Sequence, residues 1–257
     1  MSGSVDVGFF GPEATVYIYD QGAEDHLVGF AQLTERDGSF FLTRDPNEDF
    51  SWDNVRGKTI VGARIGGVPQ MTLEWVLKKH GIEPFKDVEI ITSLAFEAAV
   101  GAFESGLGDY IAQFEPALSE IEARGRGKIV ASLGAEAGPT AYTLYHARKK
   151  DLEERPDFFL RFTRAIYRGQ LWVYSHSPEE IAEVIAPFFP LIDLDILVKS
   201  MGLYQSIDAW PPTPVISEDH FLHLQEIMIE AGELDKMVPF SAVMETNLAK
   251  QVLDELK

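Results

Sequence analysis

The stretch Gly57–Ile82, GKTIVGARIGGVPQMTLEWVLKKHGI, narrows the choice of fold more than any other. Thr59–Arg64 is apolar and β-branched, the pattern of a buried strand. Gly66 and Gly67 follow, then Pro69, a residue suited to the first turn of a helix. From Gln70 the period changes. Leu73, Val76 and Leu77 recur at i, i+3 and i+4 and give one helical face an apolar stripe. Glu74 and Lys78 stand four apart in the favourable order. Lys78, Lys79 and His80 bring positive charge to the end of the helix, and Gly81 stops it. The pattern predicts a strand, a glycine turn and a helix whose free amides suit an anion or a carbonyl. The same residues also suit a unit that only buries a sheet, with the glycine pair serving a tight turn. GGVP is neither the dinucleotide fingerprint nor a phosphate loop, so no nucleotide cofactor is expected.

Units of this kind recur along the chain. Val88–Thr92 reads as a strand before the helix Ala95–Ser105, Asp109–Phe114 as a strand before Pro116–Ala123, and Ile129–Leu133 as a closing strand. Alternation of this sort predicts a parallel sheet with right-handed crossovers. Upstream, Val5–Phe10, Leu27–Leu33 and Ser39–Thr43 read as strands and Ala14–Asp20 as a helix, with Arg36-Asp37-Gly38 as a tight hairpin turn. The polar Asp45–Trp52 reads as the passage into a second lobe, and Gly134–Pro139 as the passage back, before a strand at Ala141–Ala147. Downstream the pattern is helical: one long helix from near Pro156, then Pro178–Ala186, Asp193–Leu203, Ser217–Ala231 and Ser241–Leu256, with Ser177 and Ser217 as N-caps. The expected domains are residues 1–53 with 140–257 as lobe 1 and 54–139 as lobe 2, in an α/β fold.

Composition excludes several functions. The 257 residues carry a net charge of −19, which argues against nucleic acid or an anionic membrane as partner but leaves room for a small anionic ligand. With no cysteine, disulfides, thiolate zinc sites and cysteine nucleophiles are excluded. No run of 18 apolar residues exists, so no direct membrane insertion is expected. The start MSGSVDVGFFGPEA has no basic n-region and does not read as a signal peptide. GxSxG, HExxH and calcium-loop patterns are missing, so no catalytic residue is assigned. His220, His223 and Glu226 could share a helix face, but in so acidic a chain they read better as a solvated face, and no metal is expected.

Geometry then carries the search. In open parallel sheets ligands sit beyond the carboxyl ends of strands. The ends with unusual residues are Phe9-Phe10-Gly11-Pro12-Glu13, Arg64-Ile65-Gly66-Gly67-Val68 and Gln113-Phe114-Glu115-Pro116. Phe10, Gly11, Pro12, Glu13, Arg64, Gly66, Gly67, Val68, Phe114 and Glu115 are the ligand-binding candidates, with Tyr142 as a ring to stack on a planar solute beside Trp52, Trp75 and Trp210. Each has a plainer reading: Arg64 as a surface ion pair, Glu115 as a carboxylate at a helix start, and Phe9, Phe10 and Phe114 as core.

Three runs, VDVGFFGPEATVYIYDQG, GARIGGVPQMTLEWVLKKHGI and GDYIAQFEPALSEIEARGRGKIVASLG, resemble the NMT1/THI5-like solute-binding proteins of ABC transporters, the SsuA and ThiY type. The resemblance spans Val5 to about Trp172. It implies a type II periplasmic-binding-protein fold, two α/β lobes with the ligand in a cleft and closure on binding. The family's ligand loops match Gly11–Ala14, Arg64–Pro69 and Phe114–Pro116 here. Its receptors take alkanesulfonates, nitrate or thiamine-pyrimidine precursors, act outside the cytoplasm and deliver to a permease, without a cofactor. Members begin with a leader and about 60 further residues of strand, helix and strand before the part matching VDVGFFGP. The resemblance therefore implies that Met1-Ser2-Gly3 stands at a helix-to-strand junction, and that either the gene is truncated or its start is assigned too far downstream; with a true truncation, lobe 1 lacks part of its N-terminus and exposed strand edges invite self-association.

The leading expectation is a receptor that hands a small solute to a permease, with no covalent chemistry. The alternatives are the ligand-sensing domain of a regulator or receptor, and an enzyme like the fungal thiamine-pyrimidine synthases. The latter carry a cysteine-rich motif that this chain lacks.

Overall fold

The structure is a computed structural model that describes residues 4–23 and 26–256. The expectation for Met1-Ser2-Gly3 lies outside the described residues. In chain order the elements are β1 (Gly8–Phe10), α1 (Glu13–Asp20), β2 (Leu27–Thr34), β3 (Ser39–Thr43), β4 (Thr59–Val61), α2 (Val68–Lys79), β5 (Glu89–Ile91), α3 (Phe96–Glu104), β6 (Tyr110–Phe114), α4 (Ala117–Ala123), β7 (Lys128–Ser132), α5 (Leu133–Ala137), β8 (Thr143–Arg148), α6 (Lys149–Glu154), α7 (Pro156–Ser175), α8 (Pro178–Ile185), α9 (Leu194–Ser206), α10 (Glu218–Glu230), α11 (Phe240–Val243) and α12 (Asn247–Glu255). Chain contacts group them into two units. One holds Met1–Arg36, Pro139–His176 and Asp208–Lys257, the other Asp37–Gly138 and Ser177–Ile207.

In the first unit β8 lies between β1 and β2, antiparallel to both. One face of this sheet packs on α7. Phe30 meets Phe159 edge-on with centroids 5.3 Å apart, and Tyr145 meets Phe162 at 5.0 Å. The free edge of β2 is covered in part by two irregular segments. Gln32 donates its amide to the Pro214 carbonyl at 2.8 Å, and Gly29 accepts from the Glu245 amide at 2.8 Å. Ser217 caps α10 as expected, its hydroxyl accepting from the His220 amide at 3.3 Å.

In the second unit the strand order is β5-β4-β6-β3-β7. β4 is parallel to β5 and β6, while β3 is antiparallel to β6 and β7. The buried face gathers Phe41, Ile60, Leu73, Leu77, Val88 and Tyr110. Gly81 ends the α2 segment at φ +72°, the left-handed region where glycine avoids a Cβ clash.

Four expectations are corrected here. The sheet of the second unit is mixed rather than parallel, because β3 enters between β6 and β7 and takes the pairings a further parallel strand would have used. Arg36-Asp37-Gly38 does not close a hairpin: β2 pairs with β8 and β3 with β6 and β7, so the turn carries the chain from one unit to the other. The boundary expected after residue 53 therefore falls at Arg36/Asp37, and Asp45–Trp52 is a connection inside the second unit. The second unit also reclaims α8 and α9, which the sequence had placed in lobe 1. Ser200 of α9 donates to Glu115 at 3.0 Å, and Lys199 pairs with Glu122 of α4.

Phe159 is fully buried, so Phe159→Ala removes a ring that its surroundings cannot replace. We expect a loss of about 3–5 kcal/mol in denaturant unfolding of the first unit. A loss below about 1 kcal/mol would mean that this ring does not anchor α7 to the sheet.

Candidate ligand site

Each unit brings part of the expected set together. In the first, Phe10 stands opposite Leu144 in the antiparallel pair of β1 and β8. Gly11, Pro12 and Glu13 run on past the end of β1, and Tyr142 precedes β8 at that same end of the sheet. Tyr142 is buried and its amide donates to the Thr34 carbonyl at 3.3 Å. A side chain on Gly11 would put its Cβ 2.1 Å from Glu13 Oε2, so glycine lets the Glu13 carboxylate fold back over the turn. Pro12 is the N-cap of α1, and the negative charge of Glu13 in the first turn complements the helix dipole.

Phe10 is braced from beneath. Its ring lies flat on the imidazole of His146, with centroids 4.1 Å apart and planes 5° from parallel. His146 sits mid-strand between Gly8 and Gly29 and is 1% exposed. A Cβ on Gly29 would come within 2.8 Å of Met244 Sδ and 3.5 Å of His146 Nε2, so the strand needs glycine there. Neither ring nitrogen of His146 makes a hydrogen bond of good geometry among the described residues. Burial pushes its pKa from 6.5 down to about 3, and the ring is neutral at ordinary pH.

In the second unit the neighbours β4 and β6 are parallel, with Ile60 opposite Tyr110 and Val61 opposite Ile111. Their carboxyl ends therefore lie side by side, and with them the two turns that follow. The first turn, Arg64 to Val68, is strapped by a residue the sequence reading passed over. Gln70 is fully buried; its Oε1 accepts from the Ala63 amide at 3.0 Å and its Nε2 donates to Glu74 at 2.8 Å. This claims the backbone just past β4 and explains why the strand ends at Val61 rather than at Arg64. Gly66 takes φ +77°, and the Gly67 amide closes the turn on the Arg64 carbonyl at 3.2 Å. Val68 is buried at the start of α2. Arg64 is exposed, and among the described residues its guanidinium has no carboxylate partner, contrary to the surface ion pair weighed above.

The second turn is more enclosed. Phe114 meets Phe96 edge-on at 5.3 Å. Glu115 is buried, with Oε2 accepting from Ser200 Oγ at 3.0 Å and from the Ser119 amide at 3.3 Å. Burial raises its pKa, against the pull of Ser119, Ser200 and the Lys199 charge. Glu115 thus ties α9 to the start of α4, a structural task beside any role toward a ligand. Ser200 lies 85 residues further along the chain, too far for a local pattern to reveal.

Other candidates go elsewhere. Trp52 stacks on Phe41 and His80 at 5.3 and 4.9 Å, within the core region of its unit. His220 faces Glu35 at 3.7 Å whereas His223 faces Glu226 at 3.0 Å, so these side chains do not converge.

A model of the NMT1/THI5-like family matches residues 1–181. The chain is also 39% identical over 255 residues to YtlA of Bacillus subtilis (strain 168), named as a binding protein; the match takes in 99% of this chain and 76% of YtlA. The chain belongs to the NMT1/THI5-like family. Its architecture recurs in the alkanesulfonate-binding protein SsuA of Xanthomonas axonopodis pv. citri, solved bound to MOPS, with a TM-score of 0.74 at 17% identity over 95% of this chain and 81% of SsuA. The desulfurization enzyme DSZB is also similar, with a TM-score of 0.64 at 13% identity over 98% of this chain and 86% of DSZB. At such identities the likeness shows the fold alone: this NMT1/THI5-like chain has the type II periplasmic-binding-protein fold.

The buried His146 sets a pH dependence. Its folded pKa lies below the unfolded 6.5, so the unfolded state holds the extra proton between pH 6.5 and about 3. The stability due to its neutral form is fully present above pH 6.5 and is lost as pH falls toward about 3. His220, also depressed by burial, acts with the same sign. We expect His146→Leu to flatten the fall in stability between pH 6.5 and 4.5, measured by urea unfolding at a series of pH values; an unchanged profile contradicts the burial of a neutral ring.

Proposed function

We propose that this chain is the solute-binding component of an ABC importer, acting outside the cytoplasmic membrane and presenting a small organic ligand to a permease. Family membership and the match to a protein named as a binding protein support this reading. Among the described residues no helix is long and apolar enough to cross a membrane, so the permease is a separate subunit in this proposal. The ligand residues we infer are Phe10, Gly11, Pro12, Glu13 and Tyr142 from one unit, and Arg64, Gly66, Gly67, Val68, Phe114 and Glu115 from the other. A solute engaging both sets selects the population in which both reach it, and this closed state is what the permease reads. No bond is made or broken. The fold also serves the desulfurization enzyme DSZB, while this chain has no cysteine to act as a nucleophile.

One observation favours an anionic ligand. Arg64 is an exposed cation with no carboxylate partner among the described residues, in a chain of net charge −19, at the start of a glycine turn that opens a helix. Glu115, which would suit an aminopyrimidine, already has one oxygen committed to Ser119 and Ser200. A sulfonate therefore fits better than a thiamine-pyrimidine precursor or nitrate, since Phe10 and Phe114 add apolar surface for an organic tail. In a thermal-shift screen of ethanesulfonate, nitrate and an aminopyrimidine, we expect ethanesulfonate to raise the melting temperature by several degrees at saturation. Arg64→Ala should weaken its binding by about tenfold or more. A larger rise with the aminopyrimidine would reverse the ligand assignment, and no response to any small solute would count against the receptor reading.

A further inference from the structure

Val184, Phe188, Phe189, Leu191 and Leu194 are all exposed at the turn joining α8 to α9, Phe188 at 80% and Leu191 at 92%. The turn is held firmly. Ser177 and Glu180 form a reciprocal cap at the start of α8, with bonds of 3.3 and 2.9 Å. Pro187 and Pro190 bracket Phe188-Phe189 and fix the backbone on either side. The amides of Phe189 and Ile192 close successive turns on Ala186 and Phe189 at 3.0 and 3.1 Å. Further down the hairpin Ile181, Ala182 and Leu197 are buried, Ser200 bonds Glu115 and Lys199 pairs with Glu122. The packing of the second unit thus explains the inward residues of this hairpin and leaves Phe188 and Leu191 without a task inside the chain. A contiguous exposed apolar surface of this kind marks a place of contact.

Charge selects what it meets. Glu179, Glu180, Glu183, Asp193 and Asp195 are exposed on the two helices, and no Lys or Arg occurs from Ser177 to Val198. A second copy would set these carboxylates against their own kind, and an anionic lipid surface would repel them. A protein surface with an apolar socket rimmed by Lys and Arg satisfies both the side chains and the charge. Resting on the importer reading, we propose that the α8–α9 tip seats in such a socket on the permease, with Phe188 and Leu191 in the socket and the flanking carboxylates on its basic rim. The proline-stiffened turn has little freedom to lose on docking, which favours the contact.

The test compares the full chain with the double variant Phe188→Ser, Leu191→Ser. Each is titrated against nanodiscs holding a candidate ABC permease from the same organism, against empty nanodiscs, and separately with ethanesulfonate in a thermal-shift assay. Both substituted side chains are exposed, so the variant should keep its melting temperature and its ethanesulfonate response. Its affinity for the permease should fall by about tenfold or more, and the wild-type affinity should weaken with salt. Equal permease affinity of the two forms overturns the proposal, as does wild-type protein that fails to bind the permease. Equal binding to empty nanodiscs would show a membrane contact instead, and a dimer in sedimentation abolished by the double variant would show a second copy; either result overturns it. A lost ethanesulfonate response with permease binding intact would strike the ligand assignment and leave the docking tip standing.

Discussion

The arrangement depends on where two strands find their backbone partners. A strand's amides and carbonyls must be satisfied, and neither β8 nor β3 can satisfy them locally. β8 pairs with β1 and β2, more than a hundred residues earlier, with Thr143 opposite Thr34. β3 leaves its sequence neighbour β2 and enters between β6 and β7. These choices oblige the chain to pass between the units at Arg36/Asp37 and Gly138/Pro139, while the contacts of α9 with Glu115 and Glu122 accompany the later passages at His176/Ser177 and Ile207/Asp208. Within the first unit several of these segments are tied side by side: Thr140 donates to the Glu35 carbonyl at 2.8 Å, and Glu35 to the Ala209 carbonyl at 2.9 Å. Closing such long loops is entropically costly, which is compensated by sheets buried against helices.

The same pairings place the candidate ligand residues. Antiparallel β1 and β8 bring the Phe10–Glu13 turn and Tyr142 to one end of a sheet, and parallel β4 and β6 set the Arg64 turn beside Phe114 and Glu115. Buried polar groups then fix each turn. Gln70 holds the backbone after β4, Ser200 holds Glu115, and the neutral ring of His146 supports Phe10. Such supports make a turn stiff before any ligand arrives, which lowers the entropy lost on binding.

What could be read from the sequence was local. The glycine turn, the face of α2, the stop at Gly81 and the caps at Ser177 and Ser217 all follow from residues within a few positions of one another, and they form as expected. The family was legible in three runs of sequence. Errors arose where distant partners decide. Arg36-Asp37-Gly38 has good hairpin chemistry, yet the pairing of β3 with β6 and β7 overrides it. The α8–α9 hairpin looked like part of the helical tail, because distant contacts such as Glu115–Ser200, Glu122–Lys199 and Phe40–Tyr204 reveal its true unit. Gln70 and His146 carry no motif, since their importance lies in burial and in what stands over them.

The central proposal is that the strand-end turns of each unit contact the solute. Hydrogen–deuterium exchange of the full chain, with and without saturating ethanesulfonate, tests it most directly. The account predicts slower exchange at the amides of Gly11–Ala14 and of Gly66–Gln70 together, with the α8–α9 tip unchanged. Protection that leaves both turns untouched, or that falls on one unit alone, would contradict it.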